Sequence, residues 1–293
     1  MNNFDKIDDL SRAAERPVSA RIGRTSAAFV ERPNGHRLFV RDWGSGRPIV
    51  LLAGWAMDSR IWGETMLALN AAGFRTIAYD RRGHGRSTDL GGFDYDDLAD
   101  DLDAVIDALG LSDVTLVAHS GAGGEAIRYV SRHGKGRVAG LFLVGATGPR
   151  MSAGPDNPDG ATPAMLEALS IQLATDLSGW IDQNIGPFAP GTPARIDDWM
   201  ATMVRDCSRR AIVAFQRTIV ETDLIDEAIA LKLPVTIIHG DRDVSAPIDW
   251  TARRYAKLIE GAELLVYERS AHGIMVTEAS RLAHDIAGRM SGS

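Results

Sequence analysis

Residues Val114 to Val130, "VTLVAHSGAGGEAIRYV", admit two readings with incompatible chemistry. In one, a strand runs into Gly121-Ala122-Gly123-Gly124-Glu125-Ala126. That run fits G-x-G-x-x-A, the loop that cradles a dinucleotide pyrophosphate. In the other, Ser120 lies between small residues at Ala118 and Ala122. A nucleophile on a strained strand-to-helix turn needs this, because bulky neighbours two positions away would collide. A dinucleotide site also needs an acid at the end of the next strand to hold the ribose. That strand ends "LVGATG", with no Asp or Glu from Gly140 to Gly148. The turn also follows at least four predicted strands, whereas the dinucleotide loop usually follows the first. An ordinary capping serine at a strand-helix junction is the plainer alternative to a nucleophile. The rest of the chain bears on that choice.

Upstream, "SAAFVERPNGHRLFVRDWG" reads as an antiparallel hairpin around Pro33-Asn34-Gly35. "RPIVLLAG" and "FRTIAYD" are continuous apolar runs, as expected of strands buried on both faces. Helical spacing covers about Ser59 to Ala72 and Asp94 to Leu109. In the second of these, Asp94 caps the start and Gly110 the end. Asp97, Asp100, Asp101, Asp103 and Asp107 then fall mostly on the side away from the apolar stripe, and read as a solvated face rather than a metal cluster.

After Val114 the chain continues strand, helix, strand ("VAGLFLVGA"), which implies parallel pairing. From about Gly148 to Leu231 it turns helical and proline-punctuated. The alternation then resumes with "LPVTIIHG", a helix over Pro247 to Ile259, "AELLVYE" and a last helix from about Ile274. The expected fold class is therefore α/β: a mainly parallel, doubly wound sheet. Its core comprises residues 26–147 and 232–293, with a helical cap over 148–231 and an N-terminal extension over 1–25. Chemistry in such sheets gathers at the carboxyl ends of the strands.

Two further residues meet that condition. "IIHGDRDVSAP" places Asp241 and Asp243 after a late strand, and "YERSAHGIMV" places His272 after the last one. The chain order Ser, Asp, His is the one this architecture uses for a nucleophilic triad. His36, His84, His119, His133, His239 and His284 lie in turns, strands or helix ends that fit less well, and read as structural. An oxyanion hole needs two backbone donors. The N–H of Gly121 supplies one, and the loop after "IVLLAG" the other, most simply through Trp55.

Bulk properties narrow the partners. The 293 residues carry a formal net charge of −7 and show no block of Lys and Arg, which argues against nucleic acid and anionic membranes. No apolar run is long enough to span a bilayer. The charged N-terminus lacks an apolar h-region, so no secretory signal is expected. The lone cysteine, Cys207, offers no disulfide and no metal spacing, and fits a reducing cytoplasm. The expected partner is a small-molecule substrate, with neither metal nor organic cofactor. A homo-oligomer stays open.

With these residues in view, the chain resembles the α/β-hydrolases. Within them it is similar to the bacterial arylesterases known as cofactor-free (non-haem) haloperoxidases or perhydrolases. The segments that carry the likeness are "RDWGSGRPIVLLAGW", "DRRGHGRS", "SGAGGEAIRYVSRHGKGRVAGLFLVGATGP", "DNPDGATP", "HGDRDVSAPI" and "AHGIMVTEASRLAHDI". They span about Ala28 to Ile286. The resemblance implies a nucleophile at Ser120, a histidine at His272, an acid at Asp243 rather than Asp241, and oxyanion donors at Trp55 and Gly121. Asp241 then becomes a neighbour that fixes the loop.

Three departures stand out. The family has His-Gly-Trp-Pro where this chain has Ala53-Gly54-Trp55-Ala56. The missing His normally braces that loop, and the Pro is associated with perhydrolysis. The family's Met after the nucleophile is Gly121, from which a wider pocket is expected. In the cap, Trp180, Phe188, Trp199, Met200, Met203 and Phe215 are candidates for an apolar acyl pocket, the alternative being that they form the cap's own core. The expected activity is cleavage of small carboxylic esters, or lactones, through an acyl-enzyme. An amidase, a C–C bond hydrolase, a perhydrolase and a non-catalytic ligand receptor share the scaffold and remain alternatives.

Overall fold

A computed structural model describes residues 28–134, 136–155 and 157–291. The expected extension over 1–25 lies outside them. The opening hairpin is β1 (Phe29–Glu31) and β2 (Arg37–Trp43), paired antiparallel. Then come β3 (Pro48–Leu52), a 3-10 turn at Ser59–Trp62, α1 (Gly63–Ala71), β4 (Arg75–Tyr79), α2 (Tyr95–Ala108), β5 (Val114–His119), α3 (Ala122–Arg132) and β6 (Val138–Val144). Five helices follow: α4 (Pro163–Thr175), α5 (Leu177–Phe188), α6 (Ala194–Asp206), α7 (Arg209–Glu221) and α8 (Ile225–Ala230). The chain closes with β7 (Val235–Gly240), α9 (Ala252–Leu258), β8 (Glu263–Tyr267), α10 (Ile274–Thr277) and α11 (Ala279–Ser291).

The strands form one sheet in the order β1-β2-β4-β3-β5-β6-β7-β8. Pairing is parallel from β4 to β8 and antiparallel only at the β1–β2–β4 end. β5 lies centrally between β3 and β6, and all six of its residues are buried. Such burial on both faces is what an unbroken apolar run specifies. Helix α3 starts hard against this sheet. A Cβ on Gly123 would come within 2.9 Å of the Ala146 Cβ, and one on Gly124 would enter the Tyr95 ring. Gly123 therefore serves close helix-sheet packing, and Gly124 close packing against Tyr95 of helix α2.

Asp94 caps α2, its carboxylate accepting from the Asp97 N–H, and Gly110 follows the helix in left-handed geometry (φ +60°). One aspartate departs from the expected solvated face. Asp101 is fully buried and receives Arg82 Nε and Nη2 at 2.6 and 2.8 Å, with Arg32 also pairing to it. It lies three residues after Leu98 and four before Val105, within the inward stripe. Asp96, Asp100 and Asp103 pair with Arg128, Arg132 and Arg137 on α3 and the turn after it. The helix expected from Pro247 begins only at Ala252. The preceding residues form a turn in which Thr251 Oγ1 donates to the Ala246 and Pro247 carbonyls. Among the described residues no helix is long and apolar enough to cross a membrane.

Candidate active site

Ser120 follows β5 directly and takes φ +54°, a left-handed conformation that costs a non-glycine residue about 1–2 kcal/mol. The strain is held by flanking bonds: the Ser120 N–H donates to the Val144 carbonyl at 3.0 Å, and the Ser120 carbonyl accepts from Gly123 N at 2.9 Å. A capping serine would not need this geometry, and helix α3 has no side-chain cap. The turn instead lifts the hydroxyl above the carboxyl edge of the sheet.

There it meets the two residues from later strand ends. His272 Nε2 lies 2.9 Å from Ser120 Oγ, and His272 Nδ1 lies 2.6 Å from Asp243 Oδ2. All three residues are nearly closed to solvent. The other Asp243 oxygen accepts the N–H groups of Ser245 and Ala246 at 2.9 and 2.7 Å, which fixes the carboxylate. Burial alone would raise the Asp243 pKa. The charge and hydrogen bond of His272 outweigh it and hold the carboxyl below its ordinary range. Asp241 is not in this chain of bonds. Its Oδ1 accepts the Arg269 N–H at 2.5 Å, tying the loop after β7 to the one after β8.

Two histidines read as structural touch the same groups. His119 Nε2 donates to the His272 carbonyl at 3.1 Å, with the rings 4.6 Å apart. His239 Nε2 lies 2.7 Å from the Ala246 carbonyl and 3.3 Å from Asp243 Oδ2. Burial, and then the neighbouring His272 charge, pushes the His119 pKa well below its usual value. A neutral His119 is the form that can sit against His272. Cys207 is buried on the Gly83 carbonyl, and burial raises its thiol pKa, as suits a structural residue.

Of the two donors expected for an oxyanion hole, Gly121 begins helix α3 and Trp55 follows β3. Among the described residues neither N–H has a hydrogen-bond partner in the protein. The Trp55 side chain does not pack under the sheet. Its Nε1 donates to the Ile212 carbonyl of α7 at 2.7 Å, and its ring meets Trp180 edge-on at 4.9 Å. The next residue, Ala56, has φ +57°. Proline cannot adopt that angle, so the loop differs in backbone as well as in sequence from one carrying Pro there.

A cavity of about 330 Å³ opens over Ser120 and His272. Trp180 and Phe188 line it, as expected, and Phe188 also meets the His272 ring edge-on at 5.4 Å. Met200, Met203 and Phe215 do not. They are buried in the hydrophobic core, with Phe215 beside His84 and Tyr95 and under the Arg81 guanidinium, and Trp199 packs partly buried outside the cavity wall. The wall is made instead by smaller side chains: Met57, Met151, Leu169, Leu173, Ile185, Val204, Ile219 and Val220. Thr147, Asn184, Gln216 and Ser245 add uncharged polar groups. Among the described residues, no Asp, Glu, Lys or Arg lines the cavity.

The wider pocket expected at Gly121 is absent. A Cβ there would lie 2.4 Å from Ile219 Cδ1 and 3.2 Å from Phe215 Cζ. Ile219 and Phe215 of helix α7 fill the space beside the glycine. Nothing in the local sequence around Ser120 signals this. The shape-complementary partner comes from a distant helix whose facing side chains the sequence alone does not rank.

Residues 47–279 match the family described as alpha/beta hydrolase fold. The chain is 39% identical over 259 residues to the non-heme chloroperoxidase CPO-A1 of Kitasatospora aureofaciens, covering 85% of this chain and 93% of that one. It is 34% identical to the bifunctional esterase/perhydrolase DCH of Acinetobacter calcoaceticus, over 88% and 97% of the two chains. Among solved structures, the esterase EaEST from Exiguobacterium antarcticum superposes with a TM-score of 0.86 at 29% identity, over 90% and 98% of the two chains.

Proposed function

The chain belongs to the alpha/beta hydrolase fold family, and from that premise we propose that it is a serine hydrolase cleaving small, uncharged carboxylic esters through an acyl-enzyme on Ser120. The observation that carries this reading is the unbroken relay from Asp243 through His272 to Ser120 beneath an apolar cavity.

Each step follows from the placement of the groups. His272 Nε2 accepts the Ser120 proton as Oγ attacks the ester carbonyl carbon. Asp243 accepts the Nδ1–H, keeping the ring in the tautomer that leaves Nε2 free and stabilising the imidazolium that forms. Negative charge develops on the carbonyl oxygen and takes the N–H groups of Trp55 and Gly121, next to the positive end of helix α3. As the tetrahedral species collapses, His272 returns its proton to the departing alcohol oxygen. Water then repeats the sequence on the acyl-enzyme and releases the acid.

The size and lining of the cavity support a small substrate. About 330 Å³ lies at the low end of ligand-site volumes. A carboxylate or ammonium on the substrate would be desolvated there with no counter-charge among the described lining residues, which is costly. Lactones meet the same conditions as open esters.

Perhydrolysis is a second reading, and the names of the relatives favour it. Against it stands Ala56, whose φ of +57° gives the oxyanion loop a path that a proline at this position cannot follow. Turnover of p-nitrophenyl acetate and butyrate, compared with a Ser120→Ala variant, tests the proposal. Folded wild-type protein with no turnover above that variant rejects it.

A further inference from the structure

We infer that Arg81, which touches neither the cavity nor the relay, is the positioning residue that aims both oxyanion donors by bolting the β3 loop to helix α3; this rests on the Ser120 reading.

The residue lies just past β4 and is 3% exposed. Its guanidinium reaches three separate parts of the molecule. Nε and Nη2 donate to Glu125 Oε2 at 2.8 and 2.5 Å. Nη2 also donates to the Ala53 carbonyl at 2.8 Å, and Nη1 to the Gly54 carbonyl at 3.4 Å. Its plane lies over the Phe215 ring, with Cζ 4.6 Å from the centroid. Glu125 is fully buried, and its second oxygen accepts the Tyr79 hydroxyl.

The contacts fall where oxyanion geometry is set. The Gly54 carbonyl and the Trp55 N–H belong to one trans peptide, so they point in opposite directions. An arginine that draws the carbonyl one way turns the N–H the other way, toward the cavity. Glu125 sits on the first turn of α3, the helix that begins beside Gly121 and carries the second donor. One rigid, planar, always charged group thus fixes the distance and angle between the two N–H groups. The Ala53 carbonyl takes the stronger of the two loop bonds. A buried ion pair adds little to stability over an apolar substitute, so the Arg81–Glu125 pair is better explained by what it orients.

The test compares Arg81→Lys, Glu125→Gln and the double variant Arg81→Met/Glu125→Gln with wild type on p-nitrophenyl butyrate. The affinity for phenylboronic acid, which forms a tetrahedral adduct on an active serine, is measured in parallel. Misaimed donors weaken the transition state but not the ground-state complex. Arg81→Lys and the double variant are therefore expected to lose about tenfold to a hundredfold in kcat. KM should stay within about threefold, and boronate affinity should fall in step with kcat/KM. Lysine keeps the charge and loses the fork, so it should retain more activity than the double variant. Should Arg81→Lys fail to fold, the isosteric Glu125→Gln carries the same kcat-against-KM test. Folded variants with wild-type kcat and wild-type boronate affinity overturn the assignment. An inactive wild type would instead overturn the Ser120 reading itself, so the two failures are distinguishable.

Discussion

At the scale of single residues, the contact between Gly121 and Ile219 makes the sharpest prediction. The glycine keeps a backbone donor while Ile219 of α7 fills the space beside it. Gly121→Ala places a methyl carbon where Ile219 Cδ1 now lies, and should lower kcat/KM on p-nitrophenyl butyrate by at least tenfold, about the cost of overpacking a tight site. Ile219→Ala should instead shift preference toward longer acyl chains. The double variant should recover most of the loss, since each change removes the other's clash. Strictly additive losses in the double variant would show that the two side chains do not share this wall. The sequence alone points to Ser120, His272 and the neighbours Asp241 and Asp243 because each follows a strand end, a position set by local pattern, and the family resemblance singles out Asp243. It does not reveal Ile219, or Arg81 behind the loop, because both act through partners far away in the chain.

Helix α2 shows what pattern reading misses at the scale of an element. Its acidic residues look alike in the sequence, yet Asp101 is buried on Arg82 and Arg32 while Asp103 meets Arg137 near the surface. Truncating one partner of a buried pair costs about 3–5 kcal/mol, and of an exposed pair about 0–1 kcal/mol. Asp101→Ala should therefore lower unfolding stability in urea by several kcal/mol, and Asp103→Ala should leave it nearly unchanged. Equal effects would place Asp101 on the solvated face after all. The helix-period signal was present, since Asp101 falls between Leu98 and Val105 on the inward stripe. A lone acid on an apolar face is hard to accept until its arginine partners, from other elements, are seen. The cap poses the reverse difficulty. Trp199, Met200, Met203 and Phe215 have the right chemistry for a pocket, but large apolar side chains serve a small helical core equally well. Without the helix orientations, Trp180 and Phe188 cannot be told from the others.

Across the whole molecule, buried neutral histidines set the response to acid. Burial, with the nearby Arg81 charge, pushes the His84 pKa down to about 3. Burial likewise lowers those of His119 and His239. In the unfolded chain each titrates near 6.5, so below that pH the unfolded state binds more protons than the folded one. Stability should thus be complete above about pH 6.5 and fall as the pH drops, continuing toward about 3 through His84. Asp243, held below its ordinary range, adds a loss at the acid end of the same window. Melting temperatures from pH 7.5 to 4 should show this decline. His84→Asn, which retains a donor for the Arg82 carbonyl that His84 Nδ1 contacts, should flatten it. An unchanged slope would remove His84 from the account. The mainly parallel sheet was legible from the alternation of apolar runs, because strands buried on both faces announce themselves, whereas its strand order was not. The histidine environments were not, because they depend on how loops from four strand ends close over one another.

The proposed role of Ser120 as nucleophile, activated by His272 and Asp243, is open to chemical test. Labelling the folded protein with a fluorophosphonate, followed by peptide mass mapping, tests it most directly. A single adduct is expected on the peptide carrying Ser120, lost in Ser120→Ala and strongly slowed in His272→Ala. An adduct on another residue, or none on folded wild-type protein, would contradict it.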